Sequence, residues 1–266
     1  MPTYEHDLIA VVEQSPAAAG RHDRAAWIEL FTSDARIEDP VGSRPHIGTH
    51  QIERFYDTFI GPRDIVFRRN VDIVAGTTVI RDLELDVSLS SSRRMTIPAV
   101  LRYDLDLSQQ PPRIAALRAY WELPTMMMQF LRLGCAAAPA GATLAGGLLR
   151  HQKLTGTLGF VKALRGAGRQ GGTVAARFTG QIASGDTRAA EELLHGPITI
   201  NDKATQRPEE LADRLRAATI TKVIASGHTV VVSTTSARGP AVLFATITPR
   251  QGLIDSVRCY LPSGAG

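Results

Sequence analysis

ARIEDPVGSRPHIGTHQIERFY, residues 35–56, is the stretch from which the fold is read. It opens as a strand: Ala35, Ile37 and Asp39 alternate with Arg36 and Glu38, so one face is apolar except at its last member. Pro40 has no N–H and a fixed φ, which ends the strand. Gly42 and Gly48 bracket a loop. Thr49 stands where a helix N-cap belongs, with Glu53 in the turn that follows. Ile52, Phe55, Tyr56 and Phe59 then recur at helical spacing and predict a short helix with one apolar face. Asp39 is the odd residue: a carboxylate ending a core-facing strand costs free energy unless it is solvated, paired or used. Glu38 should face the other side and be solvated.

Upstream, residues 4–14 read as a helix with Leu8, Ile9 and Val12 on one face. Residues 22–32 read as a second, with Ala26, Leu30 and Phe31 inward and Trp27 beside them. Downstream, residues 65–74, 78–89, 95–107 and 114–121 are rich in β-branched residues and read as strands. Ala75-Gly76-Thr77, Ser90-Ser91-Ser92 and the stretch 109–112 separate them as turns. Helices followed by a long antiparallel meander make an α+β order.

The second half repeats this pattern. Glu29-Leu30-Phe31 precedes Asp39 by eight residues, as Glu192-Leu193-Leu194 precedes Asp202, and an offset of 163 also brings Asp23 onto Asp186. Pro98-Ala99-Val100-Leu101 returns as Pro240-Ala241-Val242-Leu243, and Arg118-Ala119-Tyr120-Trp121 as Arg258-Cys259-Tyr260-Leu261. Such ordered coincidences predict a degenerate duplication. The expected organisation is a domain at 1–124, a connector at 125–172 and a second domain of the same kind at 173–266, the two forming an internal pseudo-dimer.

The overall net charge of +4 is uneven. Residues 123–185 hold no Asp or Glu and seven basic residues, so the rest of the chain carries −3. The basic balance thus belongs to the middle of the chain and gives no ground for nucleic-acid binding. The connector mixes apolar and basic residues (Leu148, Lys153, Leu158, Phe160, Val161, Leu164) at roughly helical spacing. It reads either as a helix packed over a sheet or as a peripheral contact with anionic lipid. Gly146, Gly156 and Gly159 favour the former, because glycine weakens a free-standing helix. No apolar run reaches the ~20 residues of a membrane span. The N-terminus lacks a basic start followed by an apolar core, and Cys135 and Cys259 make no metal spacing, which together suggest a cytoplasmic protein. His46 and His50 lie four apart with no third ligand nearby, so no metal or cofactor is expected.

EDPVG at 38–42, with Pro45, Gly48, Ile52 and Phe55-Tyr56, and the later Arg118-Ala119-Tyr120-Trp121, resembles the Δ5-3-ketosteroid isomerases, small members of the SnoaL-like (nuclear transport factor 2-like) superfamily. The resemblance covers residues 5–123. It implies helices and a curved antiparallel sheet forming a cone with an apolar interior. It also implies that Asp39 is the general base, as in the ketosteroid isomerase that serves as a standard example of carboxyl tuning. Tyr56 would match a supporting tyrosine and Trp121 a wall aromatic. The two oxyanion donors of such enzymes, a Tyr and a protonated Asp, fall on Ser15 and Ala99, and losing one strong donor costs ~3–4 kcal/mol of transition-state stabilisation.

The resulting expectation is a pocket for a small lipophilic cyclic ligand, steroid- or polyketide-like. Asp39 is its catalytic base, and Ser15, Tyr56, Phe59, Ala99, Leu101, Tyr103 and Trp121 are its walls. Two alternatives stand beside it. One is a non-catalytic binding or scaffold protein with the same cone. The other is an epoxide hydrolase-like site needing an Asp–Arg–Asp set, for which Arg102 and Asp104 are the available residues. Strand alternation points both of these away from a face that holds Leu101 and Tyr103. In the second half, Asp202 is followed by Lys203 instead of proline, and Phe178 and Ala241 take the places of Ser15 and Ala99, so that half reads as structural.

Overall fold

The computed structural model describes residues 2–90, 93–122, 126, 167–205, 207–248 and 252–262. The lipid-contact and packed-helix readings of the connector fall on residues outside this set. The chain divides into two compact units. The first holds helices α1 (Pro2–Gly20), α2 (Arg24–Glu29) and α3 (Thr49–Phe55), the last continued by a π-helical turn (Tyr56–Ile60). Its strands are β1 (Phe31–Glu38), β2 (His46–Ile47), β3 (Ile65–Ala75), β4 (Thr78–Ser90), β5 (Arg93–Asp106) and β6 (Arg113–Tyr120). The second holds α4 (Gly168–Ser184), α5 (Thr187–Glu191), α6 (Pro208–Arg214) and strands β7 (Ile198–Ile200), β8 (Lys203–Thr205), β9 (Thr219–Ser226), β10 (Thr229–Ser236), β11 (Gly239–Thr248) and β12 (Leu253–Tyr260).

Both sheets have six strands in the same order, β2-β1-β6-β5-β4-β3 in the first unit and β8-β7-β12-β11-β10-β9 in the second. Each meander is antiparallel, and each first strand joins the last in parallel. The register repeats as well: Val100 faces Tyr120 and Leu101 faces Ala119, as Val242 faces Tyr260 and Leu243 faces Cys259. The helix starts match. Asp23 caps α2 by accepting from the Ala26 N–H, and Asp186 caps α5 by accepting from the Ala189 N–H. The α+β class and the tandem repeat expected from the sequence are both present.

Three local expectations change. Helix α1 runs through Pro16 instead of stopping before it. Ala17, Ala18 and Ala19 follow as strong helix formers, and the burial of Ala18 and Ala19 offsets the hydrogen bond that proline cannot make. The second helix is shorter than 22–32, because Phe31 already opens β1. Thr49 is the first residue of α3 and not its cap: Gly48 holds that place at φ +78, which a side chain rarely adopts, and no side chain caps the helix.

Candidate functional site

Alternation decides what β4, β5 and β6 show to the helices. On β5 the odd-numbered residues Met95 to Tyr103 share one face, as Leu117 and Ala119 do on β6, and Trp121 continues that parity just past the strand end. Between this face, α1, α2 and the α3–π-turn segment lies a cavity of about 170 Å³. Its walls are almost wholly apolar. Of the residues the sequence singled out, Ser15, Asp39, Phe59, Leu101, Tyr103 and Trp121 line it together. Tyr56 and Ala99 do not. Tyr56 turns from the cavity to pack against Trp27, the rings tilted and 5.3 Å apart at their centroids, and its buried hydroxyl has no partner among the described residues. Ala99 lies on the cavity side of β5 but is wholly covered.

Asp39 follows the last residue of β1 and keeps the parity of Ile37, so it points to the cavity. The parallel pairing of Ile37 with Leu117 and Glu38 with Arg118, continued by the Val41 N–H on the Ala119 carbonyl at 2.8 Å, sets it beside the end of β6. There the Trp121 indole Nε1–H donates to Asp39 Oδ1 at 2.6 Å. Asp39 retains some accessible surface, which we attribute to the cavity it lines. Loss of water around the carboxyl pushes its pKa up to about 6, and the indole hydrogen bond, which favours the ionised form, limits the rise. Such a group is mostly ionised at neutral pH and still basic enough to take a proton. Glu38 is not solvated as expected: Arg36 binds it, and its side chain is 14% exposed.

A second polar group lies elsewhere on the cavity wall. Tyr103 is buried, and a hydrogen bond links its phenol to the Ser15 hydroxyl. Burial pushes the phenol up to about 12, against the pull of the nearby Arg81 charge and the Ser15 bond, so it stays a donor. Behind it Arg81, 1% exposed, is held by Asp72 through two bonds of 2.8 Å and by Glu13 of α1 at 2.8 Å. Tyr103 pairs with Leu117, and Asp39 comes level with Ala119 two residues further on, so the backbone positions that carry the two groups are about 7 Å apart along the strand.

Sequence reasoning missed Trp27, Phe55, Arg63, Ile65 and Phe67, which also line the cavity. Ile65 and Phe67 were legible as an alternating pair, and Phe55 as the inner face of its helix. Arg63, in the turn before β3, gave no signal. His46 packs on Phe55 at 5.1 Å, and burial, followed by the charges of Arg44 and Arg54, pushes its pKa down to about 4, so the ring is neutral. Among the described residues no cluster of potential metal ligands occurs. Arg102 and Asp104 lie on the sheet face away from the cavity, where Asp104 binds both Arg102 and Arg118. They therefore leave the cavity without the Asp–Arg–Asp set of the epoxide hydrolase alternative.

In the second unit Asp202 ends no core strand. Asn201 and Asp202, at φ 49 and 61, form the two-residue turn between β7 and β8, and Asp202 accepts from the Tyr260 hydroxyl at 2.7 Å. Phe178, at the place of Ser15, is buried in one cluster with Leu211, Leu243, Cys259 and Leu261. No helix among the described residues is long and apolar enough to cross a membrane.

Residues 12–107 match the family model described as the SnoaL-like domain. The first unit is a SnoaL-like domain, and the second unit repeats its strand order. Solved structures to which the chain is similar include the following three. The Mycobacterium tuberculosis protein RV0760c in complex with estradiol-17beta-hemisuccinate is 20% identical, over 44% of this chain and 95% of that one, with a TM-score of 0.40. The Δ5-3-ketosteroid isomerase from Mycobacterium sp. is 24% identical over 44% and 95%, with a TM-score of 0.41. The epoxide hydrolase/cyclase-like enzyme SalBIII of salinomycin pyran-ring formation is 23% identical over 45% and 94%, with a TM-score of 0.40.

Proposed function

We propose that the first unit binds a lipophilic cyclic molecule, steroid- or polyketide-like, and that Asp39 acts as a general base moving a proton next to its carbonyl. The observation that carries this reading is a carboxylate with a pKa near 6, lining an apolar cavity and held by one indole N–H. Ionised Asp39 takes the proton from the carbon beside the carbonyl, and the C–H electrons move onto the carbonyl oxygen. Tyr103, steadied by Ser15 and by the Arg81 charge behind it, is the donor available to that oxygen. The proton then returns from Asp39 to the conjugated carbon. Binding itself rests on removal of apolar surface from water, worth about 25 cal/mol per Å².

One observation favours a second reading, binding without turnover. Ala99 puts a methyl group where the resemblance calls for a protonated acid, so at most one strong donor remains. Conjugation of a Δ5-3-ketosteroid, followed by absorbance, separates the readings. Slow turnover is expected, rising with pH through about 6 as Asp39 ionises and lost in Asp39→Asn. Tyr103→Phe should lower the rate ~10²-fold. Tight steroid binding with no turnover in the wild type selects the second reading. Equal turnover in wild type and Asp39→Asn removes Asp39 from the mechanism.

A further inference from the structure

Arg63 is the only basic residue lining the cavity among the described residues, and its circumstances differ from those of six arginines of the first unit that acids hold. Arg24 is bound to Asp57, Arg36 to Glu38, Arg68 to Asp86, Arg81 to Asp72 and Glu13, and Arg102 and Arg118 to Asp104. Arg63 has no such acid. Its Nη1 donates to the backbone carbonyls of Thr58 and Phe59, at 2.7 and 2.8 Å, closing the end of the π-helical turn. Those bonds engage Nη1, while Nε and Nη2 have no partner among the described residues.

The acids nearest in sequence are already taken. Asp57 binds Arg24 at 2.7 and 3.1 Å, and Asp64 lies 3.0 Å from His22 Nε2. Residues outside the described set carry no side-chain carboxylate anywhere in their sequence. Among the described residues no carboxylate therefore pairs with this guanidinium, which sits against an apolar cavity. Loss of water lowers the Arg63 pKa, and no acidic neighbour opposes that shift. A half-desolvated cation without an acidic partner is costly. Its free N–H groups form the fork that pairs with a carboxylate through two parallel bonds.

The surroundings place this charge at the accessible side of the cavity. Phe59, Arg63, Ile65 and Phe67 are each partly exposed, whereas Ser15, Tyr103, Leu117 and Ala119 are buried. A ligand entering apolar end first would therefore meet Tyr103 and Asp39 with its body and leave its tail beside Arg63.

We propose that the cavity selects lipophilic molecules carrying an anionic tail, a carboxylate above all, and that Arg63 is the residue which binds that tail. This rests on the reading of the cavity as a lipophilic-ligand site. Free and esterified forms of one steroid carboxylic acid test it. The chain has two tryptophans, Trp27 and Trp121, and both line the cavity, so their fluorescence reports binding directly. Titration of the full chain with 5β-cholanic acid and with its methyl ester should give ~10-fold tighter binding of the acid. Raising the salt concentration should narrow that ratio only in part, because the pair is half-buried.

Arg63→Gln should bring the acid to the affinity of the ester and leave the ester unchanged. Arg63→Lys should keep part of the preference. An unchanged ester affinity in Arg63→Gln also shows that the cavity survives loss of the bonds to Thr58 and Phe59. Equal binding of acid and ester by the wild type overturns the anionic-tail proposal alone. An equal loss of both in Arg63→Gln, with Arg63→Lys restoring neither, assigns Arg63 to closing the π-helical turn and overturns it too. Failure of both probes to bind the wild type overturns the lipophilic-ligand reading, and this proposal with it.

Discussion

Ser15 and Phe178 stand at the same place on the first helix of their units, 163 residues apart, and they leave opposite interiors behind them. Around Ser15 the sheet face of Leu101, Tyr103, Ala119 and Trp121 borders an open cavity. Around Phe178 the matching Leu243, Cys259 and Leu261 pack into one apolar cluster closed by Leu211 and Leu215 of the α6 region. Strand order and register are the same in both. The frame therefore does not determine whether a pocket exists. A few side chains do: a serine against a phenylalanine on the helix, and a tryptophan against a leucine past the last strand.

The acids diverge for a backbone reason. In the first unit the chain leaves β1 through Asp39 and a loop that runs to His46, so the carboxylate stays on the cavity side. In the second, a two-residue turn joins β7 to β8, and Asp202 sits in it with positive φ. Its partner Tyr260 lies on the other face of β12 from Cys259. Its neighbour Asn201 is also structural, bonded to the Leu261 backbone in both directions at 3.1 and 2.9 Å.

The sharpest break between the units should appear in turnover. Asp39→Asn is expected to lower the rate of proton transfer by ~10²-fold or more. Asp202→Asn should leave it unchanged. Steady-state rates of both variants with a Δ5-3-ketosteroid check this. A loss in Asp202→Asn as large as in Asp39→Asn would give the two units equal parts in the chemistry.

Stability should show the reverse contrast. Phe178→Ala opens a hole in a filled core and is expected to cost ~3–5 kcal/mol. Leu101→Ala enlarges a space that already exists and should cost nearer ~2 kcal/mol, because fewer packed neighbours are lost. Urea melts of the full chain, followed by circular dichroism, measure both. Equal costs would mean that the first interior is packed as tightly as the second.

Much of this was legible in the residues. Alternation and turn chemistry marked the strands, and the ordered return of Asp23, Pro98 and the Arg118–Trp121 motif marked the duplication. Asp39 stood out because an acid at a core-facing position needs a reason. Other features were hidden for physical causes. The partner of Asp39 is 82 residues away, and only the parallel β1–β6 pairing brings Trp121 to it. Tyr56 and Phe59 both fit a helical face. The π-helical turn that begins at Tyr56 alters the spacing, so Phe59 reaches the cavity and Tyr56 packs beside Trp27. Arg63 could not be picked out by composition, since its distinction is to line the cavity without an acid, and that depends on the fold and on where the acids go.

Exchanging the helix residue should convert one interior toward the other. Ser15→Phe is expected to fold, with an overpacking cost of ~1–3 kcal/mol, and to weaken ligand binding ~10-fold or more by filling the space beside Tyr103. Phe178→Ser should create no site, because Leu261 and the Asp202 turn supply neither an indole donor nor an inward carboxylate. Tryptophan fluorescence titration with a neutral steroid reads the first variant. Undiminished binding in Ser15→Phe would show that the ligand lies elsewhere on the unit.

The smallest effect is the most specific to a hollow, dry interior. Asp39 has a folded pKa of about 6 against an ordinary 3.8, so between these values the folded chain holds a proton that the unfolded chain has released. Its contribution to stability is therefore fullest below pH 3.8, falls as the pH rises through this window, and is flat above about 6. Asparagine has no proton to lose and still presents an oxygen to the Trp121 indole. Asp39→Asn should thus match the wild type near pH 4 and become the more stable protein by neutral pH, by roughly 1–2 kcal/mol after allowing for partial solvation. Thermal melts of both proteins at half-unit steps from pH 4 to 7.5 give the difference curve. A rise centred between the two pKa values supports a desolvated carboxylate. A flat curve would mean that water reaches Asp39 freely, and that the cavity is too wet to keep the carboxylate a potent base.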